Sequence, residues 1–273
     1  MTEQPASPTC RVLQISDLHL LYERGATLIG VDTEKSLRAV LGAALSRDFP
    51  DVLLVTGDIA HQPVKETYDK ALSVLREYYD GPLLCVPGNH DVLAAMLEAG
   101  LTTDAVQVEG WSVCAFDTHE DDSLAALWTP EAEAALDTWL ASASGNLLLA
   151  THHPLVEVGC PWLDPDRLDN AEALLDSFCA YNTDNAKHGV GGQIRAVVFG
   201  HAHQEVEATL DALQLYGAPS TCFQFRPEAQ KFSIDSRSPG CRWLELNEDG
   251  TVDTHVQRVD FPLHIDLKDR ENK

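Results

Sequence analysis

Short runs rich in apolar residues recur along the first part of the chain and alternate with segments of helical periodicity. The runs lie at residues 11–16, 52–56 and 83–86. Between them, residues 37–45 and 68–79 carry apolar side chains at helical spacing, the first after Asp32 or Thr33 as a cap. Fully apolar strands need cover on both faces, and a β-α-β-α-β order favours parallel strands with helices outside. We therefore predict an α/β fold.

The later part of the chain adds strands of both orientations. A hairpin with its turn at Glu109-Gly110 is predicted at residues 105–116, and short antiparallel strands are predicted after residue 205. The remaining predicted elements are a helix from Pro130, a buried strand at 146–151, a helix at 171–181, a buried strand at 196–199, and strands at 241–246 and 251–259 joined by a turn at 247–250. Two mixed sheets packed face to face accommodate this order. Since no linker divides the chain, we expect one domain over residues 11–262, with tails at 1–10 and 263–273.

Charge limits the partners that this chain can have. Asp and Glu number 43 against 19 Lys and Arg, a formal net charge of −24. Such a surface repels nucleic-acid phosphates and anionic lipids, which argues against both as partners. No apolar run approaches the ~20 residues that span a bilayer, and residues 1–5 lack the basic start of a secretory signal. The seven cysteines form no CxxC pair, which favours reduced thiols in the cytoplasm.

Potential metal ligands follow five of the apolar runs, at the points where the predicted strands end. The carboxyl ends of strands in an α/β sheet form the usual active-site crevice. Each motif is weak alone, because Asp-x-His and Gly-Asp are common in ordinary turns, but five in succession are hard to produce by chance. The motifs are Asp17-Leu18-His19, Gly57-Asp58, Gly88-Asn89-His90-Asp91, His152-His153-Pro154 and Gly200-His201-Ala202-His203.

The chemistry of this set indicates a transition-metal site. Imidazoles, carboxylates and an amide oxygen suit Zn, Fe or Mn better than Ca or Mg, and the lack of cysteine argues against a structural zinc site. Residues at i and i+2 of an extended segment point to the same side, so Asp17 can converge with His19, and His201 with His203. The two oxygens of Asp58 can bridge two ions. Seven ligands exceed what one tetrahedral ion accepts, which favours two ions.

These motifs resemble those of the calcineurin-like metallophosphoesterases, whose pattern is Asp-x-His, Gly-Asp, Gly-Asn-His-(Asp/Glu), His-x-Pro and Gly-His-x-His. The resemblance runs from Val12 to His203. Within that superfamily the chain is most similar to the bacterial class III 3′,5′-cyclic AMP phosphodiesterases, on residues 13–17, 87–91, 159–164 and 219–225. The resemblance implies the metallophosphoesterase fold, a four-layer αββα sandwich of two mixed sheets flanked by helices.

The resemblance also implies a site and a reaction. One ion would be held by Asp17, His19, Asp58 and His203, and the other by Asp58, Asn89, His152 and His201, as a pair drawn from Fe, Mn and Zn. A bridging hydroxide would attack phosphorus and convert cyclic AMP to 5′-AMP. His90 would contact the phosphate and protonate the leaving oxygen. The residues expected to contact this small-molecule substrate are His19, Asp58, Asn89, His90 and His203. A homodimer is compatible with the resemblance.

Other functions fit the sequence to different degrees. Protein serine/threonine phosphatases of the superfamily usually carry Arg before the Gly-Asn-His motif and Asp-Arg-Gly after Gly-Asp, whereas Pro87 and Ile59 stand at these places. A glycerophosphodiesterase, or a broader nucleotide phosphodiesterase, would use the same ligands and stays open. A non-catalytic metal-binding module is disfavoured because all seven ligand positions are filled.

Several histidines and one segment fall outside the ligand set. His153 is expected to support the site, and His61 and Gln62 to lie in a solvated loop, with a place at the border of the pocket as the alternative. His119, within residues 117–124, is a candidate nucleotide contact in place of a histidine that many relatives carry nearby. Residues 183–193 predict a flexible surface loop, with a lid over the substrate as the alternative.

Overall fold

A computed structural model describes residues 10–120, 126–189 and 191–267 of the chain. Strands and helices alternate in it along most of the predicted order. In chain order the elements are β1 (Cys10–Ile15), α1 (Thr33–Ala44), β2 (Val52–Thr56), α2 (Lys65–Tyr78), β3 (Leu83–Val86), α3 (Leu93–Glu98), β4 (Val106–Val108), β5 (Trp111–Ala115), α4 (Pro130–Ser142), β6 (Gly145–Ala150), a 3₁₀ turn (Asp164–Asp166), α5 (Ala171–His188), β7 (Gly192–Phe199), β8 (Val206–Leu210), β9 (Leu213–Gly217), β10 (Gly240–Leu246) and β11 (Val252–Arg258).

The strands form two mixed sheets. The first has five strands in the order β11-β10-β1-β2-β3, and the second has six in the order β4-β5-β6-β7-β9-β8. In the first sheet β1, β2 and β3 run parallel, while β10 and β11 are antiparallel additions at one edge. In the second, β5, β6, β7 and β9 run parallel, and β4 pairs with β5 as the predicted hairpin. The predicted α/β class with two mixed sheets is confirmed.

Apolar side chains divide the molecule into layers. Val12, Leu54, Leu148, Val198 and Leu244 belong to the cluster between the two sheets. The outer face of the first sheet packs against α1 and α2, and that of the second against α4 and α5, so the layers run helix, sheet, sheet, helix. Each fully buried leucine contributes roughly 2 kcal/mol. None of the helices in the described ranges combines the length and apolar character needed to cross a membrane.

Two helices begin at their predicted positions, each after a capping side chain. The Asp32 side chain accepts a hydrogen bond from the Lys35 backbone N–H at 3.0 Å, and α1 follows. Thr129 accepts from the Ala132 N–H at 3.1 Å, and Pro130 takes the first position of α4. Caps of this kind stabilise a helix by about 1 kcal/mol, and proline fits the first turn because no intrahelical donor is lost there.

Helix α5 is longer than predicted. It continues to His188 and ends at Gly189, whose φ of 64° closes the helix in the left-handed region. The side chain of Asn182 donates to the Ile194 carbonyl and accepts from the Ile194 N–H, both at 2.8 Å, which ties the end of α5 to β7. Residues 183–188 thus lie in α5 and residues 192–193 in β7, so the predictions of a flexible loop or a lid are wrong for them. The prediction failed because the exposed polar positions of a helix resemble a loop in sequence.

The described residues extend slightly beyond the predicted domain bounds of 11–262 at both ends. β1 begins at Cys10. Leu263 packs against the cluster that contains Leu28 and Ile29, and the Asp266 N–H donates to the Ile29 carbonyl at 2.9 Å. Leu263 and Asp266, from the segment predicted to be a C-terminal tail, therefore contact the loop that carries Leu28 and Ile29.

Candidate metal centre

Five parallel strands from both sheets end at the same edge of the sandwich. These are β1, β2 and β3 of the first sheet, and β6 and β7 of the second. Gln14 links the two sheets there, because its amide donates to Thr56 Oγ1 and to the Phe199 carbonyl, each at 3.0 Å. The turns that follow these strands are therefore held side by side.

The turns after three of these strands use strained backbone. Five of the seven predicted ligands have positive φ, namely Asp17 (53°), His19 (45°), Asp58 (49°), His201 (62°) and His203 (47°). Such conformations are costly for residues other than glycine and concentrate at functional sites. The residues at i and i+2 do converge as predicted, but their segments are not extended. They converge because the left-handed turns point them to one place.

One group of side chains surrounds His19 and His203. His19 Nε2 lies 3.1 Å from His203 Nε2 and 3.5 Å from Asp58 Oδ2. His203 Nε2 lies 3.5 Å from Asp17 Oδ1. All four residues are buried, so their nitrogen and oxygen atoms face one another in a space that is largely shielded from solvent.

A second group surrounds Asn89. Its Oδ1 lies 3.0 Å from His152 Nε2 and 2.9 Å from His201 Nδ1. His152 Nε2 is also 3.4 Å from Asp58 Oδ1. Asp58 therefore presents Oδ1 to this group and Oδ2 to the group around His19. The structure brings all seven predicted ligands together.

Backbone carbonyls orient two of the histidines. His152 Nδ1 lies 2.8 Å from the Thr56 carbonyl, and His203 Nδ1 lies 2.8 Å from the Phe223 carbonyl. A carbonyl can only accept, so each Nδ1 carries the proton and each Nε2 presents a lone pair. Such hydrogen bonds fix the tautomer and direction of metal-binding imidazoles.

The donor atoms suit divalent metal ions. Asp17 Oδ2 and His201 Nε2 are buried and have no hydrogen-bond partner among the residues that the structure describes, although buried polar atoms normally have one. Separations of 3.1 to 3.5 Å between donor atoms match the roughly 3.0–3.5 Å expected around an ion with bonds of about 2.1 Å.

The two groups border a cavity of about 310 Å³. It is lined by all five residues that were expected to contact substrate, which are His19, Asp58, Asn89, His90 and His203. The His90 backbone N–H donates to Asp58 Oδ1 at 3.0 Å, and its ring lies 5.0 Å from the ring of His19. His90 is half-buried, so its side chain can reach a ligand in the cavity.

His61 also lines this cavity, so the favoured prediction of a solvated loop is wrong for it and the alternative, a place at the border of the pocket, is confirmed. Its ring is half-buried and lies 5.1 Å from the ring of His90 and 5.7 Å from that of His19. Gln62 has a different contact, because its Oε1 accepts from the Tyr22 N–H at 3.0 Å. The turn after β2 therefore contributes both Asp58 and His61 to the cavity wall.

Comparison with known proteins agrees with this geometry. Residues 10–205 match the model of a family described as calcineurin-like phosphoesterase, a stretch that contains every ligand motif. The chain belongs to this family. The phosphoesterase fold and a His/Asp cluster that can hold divalent metal ions are thus both present in the protein.

Curated relatives of this phosphoesterase carry a more specific name. CpdA of Pseudomonas aeruginosa, a 3′,5′-cyclic adenosine monophosphate phosphodiesterase, is 34% identical over 264 residues, covering 91% of this chain and 90% of its own. The protein of the same name from Escherichia coli is 33% identical over 265 residues, with the same coverage. Among solved structures, TT1561 of Thermus thermophilus superposes with a TM-score of 0.58 at 13% identity, covering 90% of this chain and 98% of that one. That likeness shows the shared fold.

Asp91 connects two of the ligand-bearing turns of the phosphoesterase. Its Oδ2 accepts from the Gly88 N–H at 2.8 Å and from the Ile59 N–H at 3.1 Å, and its Oδ1 accepts from the Ala60 N–H at 3.0 Å. The turn after β2 and the loop after β3 are therefore fastened to one buried carboxylate. Gly88 permits this close approach, because a Cβ there would overlap both Oδ1 and the backbone nitrogen of Asp58.

Burial sets the protonation of the ligand groups. It lowers the pKa of His201 to about 3 and that of His203 to about 4, which keeps both imidazoles neutral and able to bind metal. Burial, and then repulsion from Asp58, raises the pKa of Asp17 well above its usual range. For Asp58, burial favours the neutral acid, but the surrounding histidines outweigh it and hold the pKa well below its usual range.

The buried histidines predict acid sensitivity of the chelator-treated protein. Unfolded chains protonate histidine below about pH 6.5, whereas folded His201 stays neutral down to its pKa of about 3. The stability that it contributes is thus fully present above about pH 6.5. It is lost progressively as pH falls from there to the folded pKa of about 3. Raised pKa values of Asp17 and Asp91 act in the opposite direction. A variant of His201 isolates the histidine contribution.

We expect His201→Gln to reduce the slope of unfolding free energy against pH by about 1.4 kcal/mol per pH unit between pH 4 and 6. Urea unfolding at a series of pH values in the presence of chelator measures this slope. His255→Gln, at an exposed position of β11, is the matched control and should keep the slope of the unmodified protein. An unchanged slope in His201→Gln would contradict the role of burial at this residue.

Other residues around the site have distinct places. His153 is buried, and its Nδ1 lies 2.9 Å from Thr118 Oγ1. His119 Nδ1 lies 2.8 Å from Asp117 Oδ1 and the residue does not line this cavity, while residues 121–125 lie outside the described ranges. The expected nucleotide contact from His119 has no support in this geometry.

Aromatic side chains of the cavity were not predicted as site residues. They include Trp162, Phe225 and Phe232. Trp162 and Phe225 lie in two of the segments that carried the family resemblance, and this was the only sequence signal for them. Phe232 lay in no motif.

Proposed function

We propose that this phosphoesterase hydrolyses 3′,5′-cyclic AMP to 5′-AMP at a site that holds two divalent metal ions. The observation that carries the proposal is the convergence of seven nitrogen- and oxygen-bearing side chains from five strand ends. The choice of substrate is supported by curated relatives at 33% and 34% identity that are named cyclic adenosine monophosphate phosphodiesterases and match over most of both chains.

We assign Asp17, His19, Asp58 and His203 to one ion, and Asp58, Asn89, His152 and His201 to the other. The assignment is supported by the separate positions of the two Asp58 oxygens, one 3.5 Å from His19 Nε2 and the other 3.4 Å from His152 Nε2. Iron, manganese and zinc are the metals that this mixture of donors suits.

Local charge explains how so acidic a protein can bind an anion. The formal net charge is −24, but two divalent ions against two carboxylates leave about two positive charges at the site. Water is largely excluded from the buried groups, so this local charge acts at low dielectric. An anionic diester is therefore attracted to the cavity despite repulsion from the wider surface.

Bound metal ions would lower the pKa of a water molecule and stabilise negative charge on the phosphate oxygens. The chain's own residues position the substrate. His19, Asp58, Asn89, His90 and His203 line the cavity, and we assign them to substrate contact. His90 is assigned the proton that the departing ribose O3′ requires, because its half-buried ring faces the cavity while its backbone is held by Asp58.

The purified protein should convert cyclic AMP to 5′-AMP, lose this activity on chelation and recover it on addition of Mn²⁺ or Fe²⁺. Elemental analysis of the active protein should find about two metal equivalents, as expected of a two-ion site. Assays with bis-(p-nitrophenyl) phosphate and glycerophosphodiesters alongside test the broader phosphodiesterase alternative. Hydrolysis of glycerophosphodiesters with negligible turnover of cyclic AMP would contradict the proposed substrate, and activity without metal would contradict the proposed site.

A cytoplasmic location is part of the same proposal. All seven cysteines lie in the described ranges as free thiols, most of them buried. Free buried thiols are typical of proteins in a reducing compartment.

A further inference from the structure

One wall of the cavity is aromatic. Trp162, Phe225 and Phe232, here called the aromatic wall, lie beside one another with ring centroids 5.0 to 5.5 Å apart. Their planes cross at 67° to 82°, the edge-to-face arrangement that aromatic rings favour. The three rings come from two segments, the loop before the 3₁₀ turn and the stretch between β9 and β10.

The aromatic wall is continuous with the proposed metal ligands. The ring of Phe225 stacks on that of His203 at 4.2 Å between centroids with 22° between planes. Phe223 extends the same surface, because its ring stacks on His19 at 6.1 Å and 12°. A ligand whose phosphate lies against His19 and His203 therefore has an aromatic surface directly beside it.

The rings of the aromatic wall are half-buried and line the open cavity. Apolar surface of this kind is left partly exposed to solvent, and covering it with a flat apolar group is favourable. The cavity volume of about 310 Å³ falls at the lower end of sites that take a small ligand. The ligand that fits is small, with an anionic diester at one end and a flat ring at the other.

We propose that the aromatic wall is the subsite for the purine base of the substrate, and that it makes the site prefer a nucleotide to a diester without a base. The inference rests on the proposed function and deepens it. Stacking on aromatic side chains is the common way in which proteins hold bases, because every base has a π face. A glycerol diester has no group to place against these rings, so the wall separates the two substrate classes that share one set of metal ligands.

The test compares cyclic AMP with a base-free analogue, 1,4-anhydroribitol 3,5-cyclic phosphate, which keeps the reacting bonds. We expect the ratio of kcat/KM for cyclic AMP to that for the analogue to fall about tenfold or more in Trp162→Leu and in Phe232→Leu. Leucine keeps an apolar side chain while removing the ring. Trp139→Leu is the matched control, since Trp139 is a half-buried tryptophan of α4 that lies outside this cavity, and it should leave the ratio unchanged.

A binding measurement supplies a second readout. Quenching of tryptophan fluorescence by 5′-AMP should occur in the unmodified protein and in Trp139→Leu, and should be lost in Trp162→Leu. If the ratio stays unchanged in both wall variants, because the two substrates lose activity equally or not at all, the inference is overturned while the cyclic AMP activity stands. If cyclic AMP is not hydrolysed, the proposed function fails, and the quenching decides the subsite. Quenching that depends on Trp162 supports it, and no quenching overturns it.

Discussion

An Asp58→Asn variant should lose about a thousandfold or more in kcat/KM for cyclic AMP and should retain fewer than two metal equivalents. Asp58 is the residue that faces both ligand groups, with Oδ2 at 3.5 Å from His19 Nε2 and Oδ1 at 3.4 Å from His152 Nε2. An amide has one oxygen and no charge, so it cannot replace the carboxylate on both sides. Steady-state kinetics with cyclic AMP measure the loss of activity, and elemental analysis measures the loss of metal.

Loss of folding should not explain this result. In the metal-free protein an amide at position 58 relieves the repulsion of buried Asp17 but also loses the attraction of the surrounding histidines. Because these two effects oppose each other, we expect urea unfolding of chelator-treated Asp58→Asn to remain a cooperative transition, as in the unmodified protein. Asp69→Asn, which alters an exposed ion pair with Lys65 on α2, is the control and should keep activity and metal, since such pairs contribute little. Two metal equivalents and near-normal turnover in Asp58→Asn would remove its assigned role.

His90→Ala should depress turnover of cyclic AMP by about 10² to 10⁴, the range in which general acids contribute. The leaving ribose oxygen of cyclic AMP is a poor leaving group and needs a proton. Bis-(p-nitrophenyl) phosphate releases p-nitrophenolate, which leaves readily without one. The loss should therefore be much smaller for the p-nitrophenyl ester, and steady-state kinetics on both substrates measure the difference.

The comparison separates proton transfer from simple phosphate contact. A His90 that only hydrogen-bonds the phosphate would, on removal, slow both substrates to the same extent, and this outcome would contradict its role as the acid. His61→Ala is the matched variant, because its ring lies 5.1 Å from that of His90 and lines the same cavity. We expect a smaller loss from His61→Ala, and a larger one would reassign the acid to His61.

Most of the fold could be predicted from the sequence because its signals are local. The apolar runs of β1, β2 and β3, and the capped periodic segment of α1, have one stable interpretation at short range. The end of α5 did not, because residues such as Asn182 and Asn185 look like loop residues until β7 supplies the partners for their side chains. Interactions with distant residues decided that boundary.

The chemistry of the centre was determined by the sequence itself. Five motifs at strand ends provide the seven predicted ligands, which are two aspartates, one asparagine and four histidines, and these donor types suit divalent metal ions. Their convergence could be predicted because the carboxyl ends of parallel strands lie along the same edge of a sheet. The left-handed conformations at Asp17, His19 and His203 could not be predicted, since non-glycine residues adopt them only when the surrounding structure imposes them.

Only the tertiary structure decided what stands around that centre. His61, Trp162, Phe225 and Phe232 line the cavity, yet they come from three separate loops and belong to no periodic pattern. An aromatic residue in a loop has no preferred partner within its own segment, so its place depends on how distant loops pack. The residues that bind metal are thus written in short motifs, whereas the cavity that selects a ligand is formed by contacts between parts of the chain far apart in sequence.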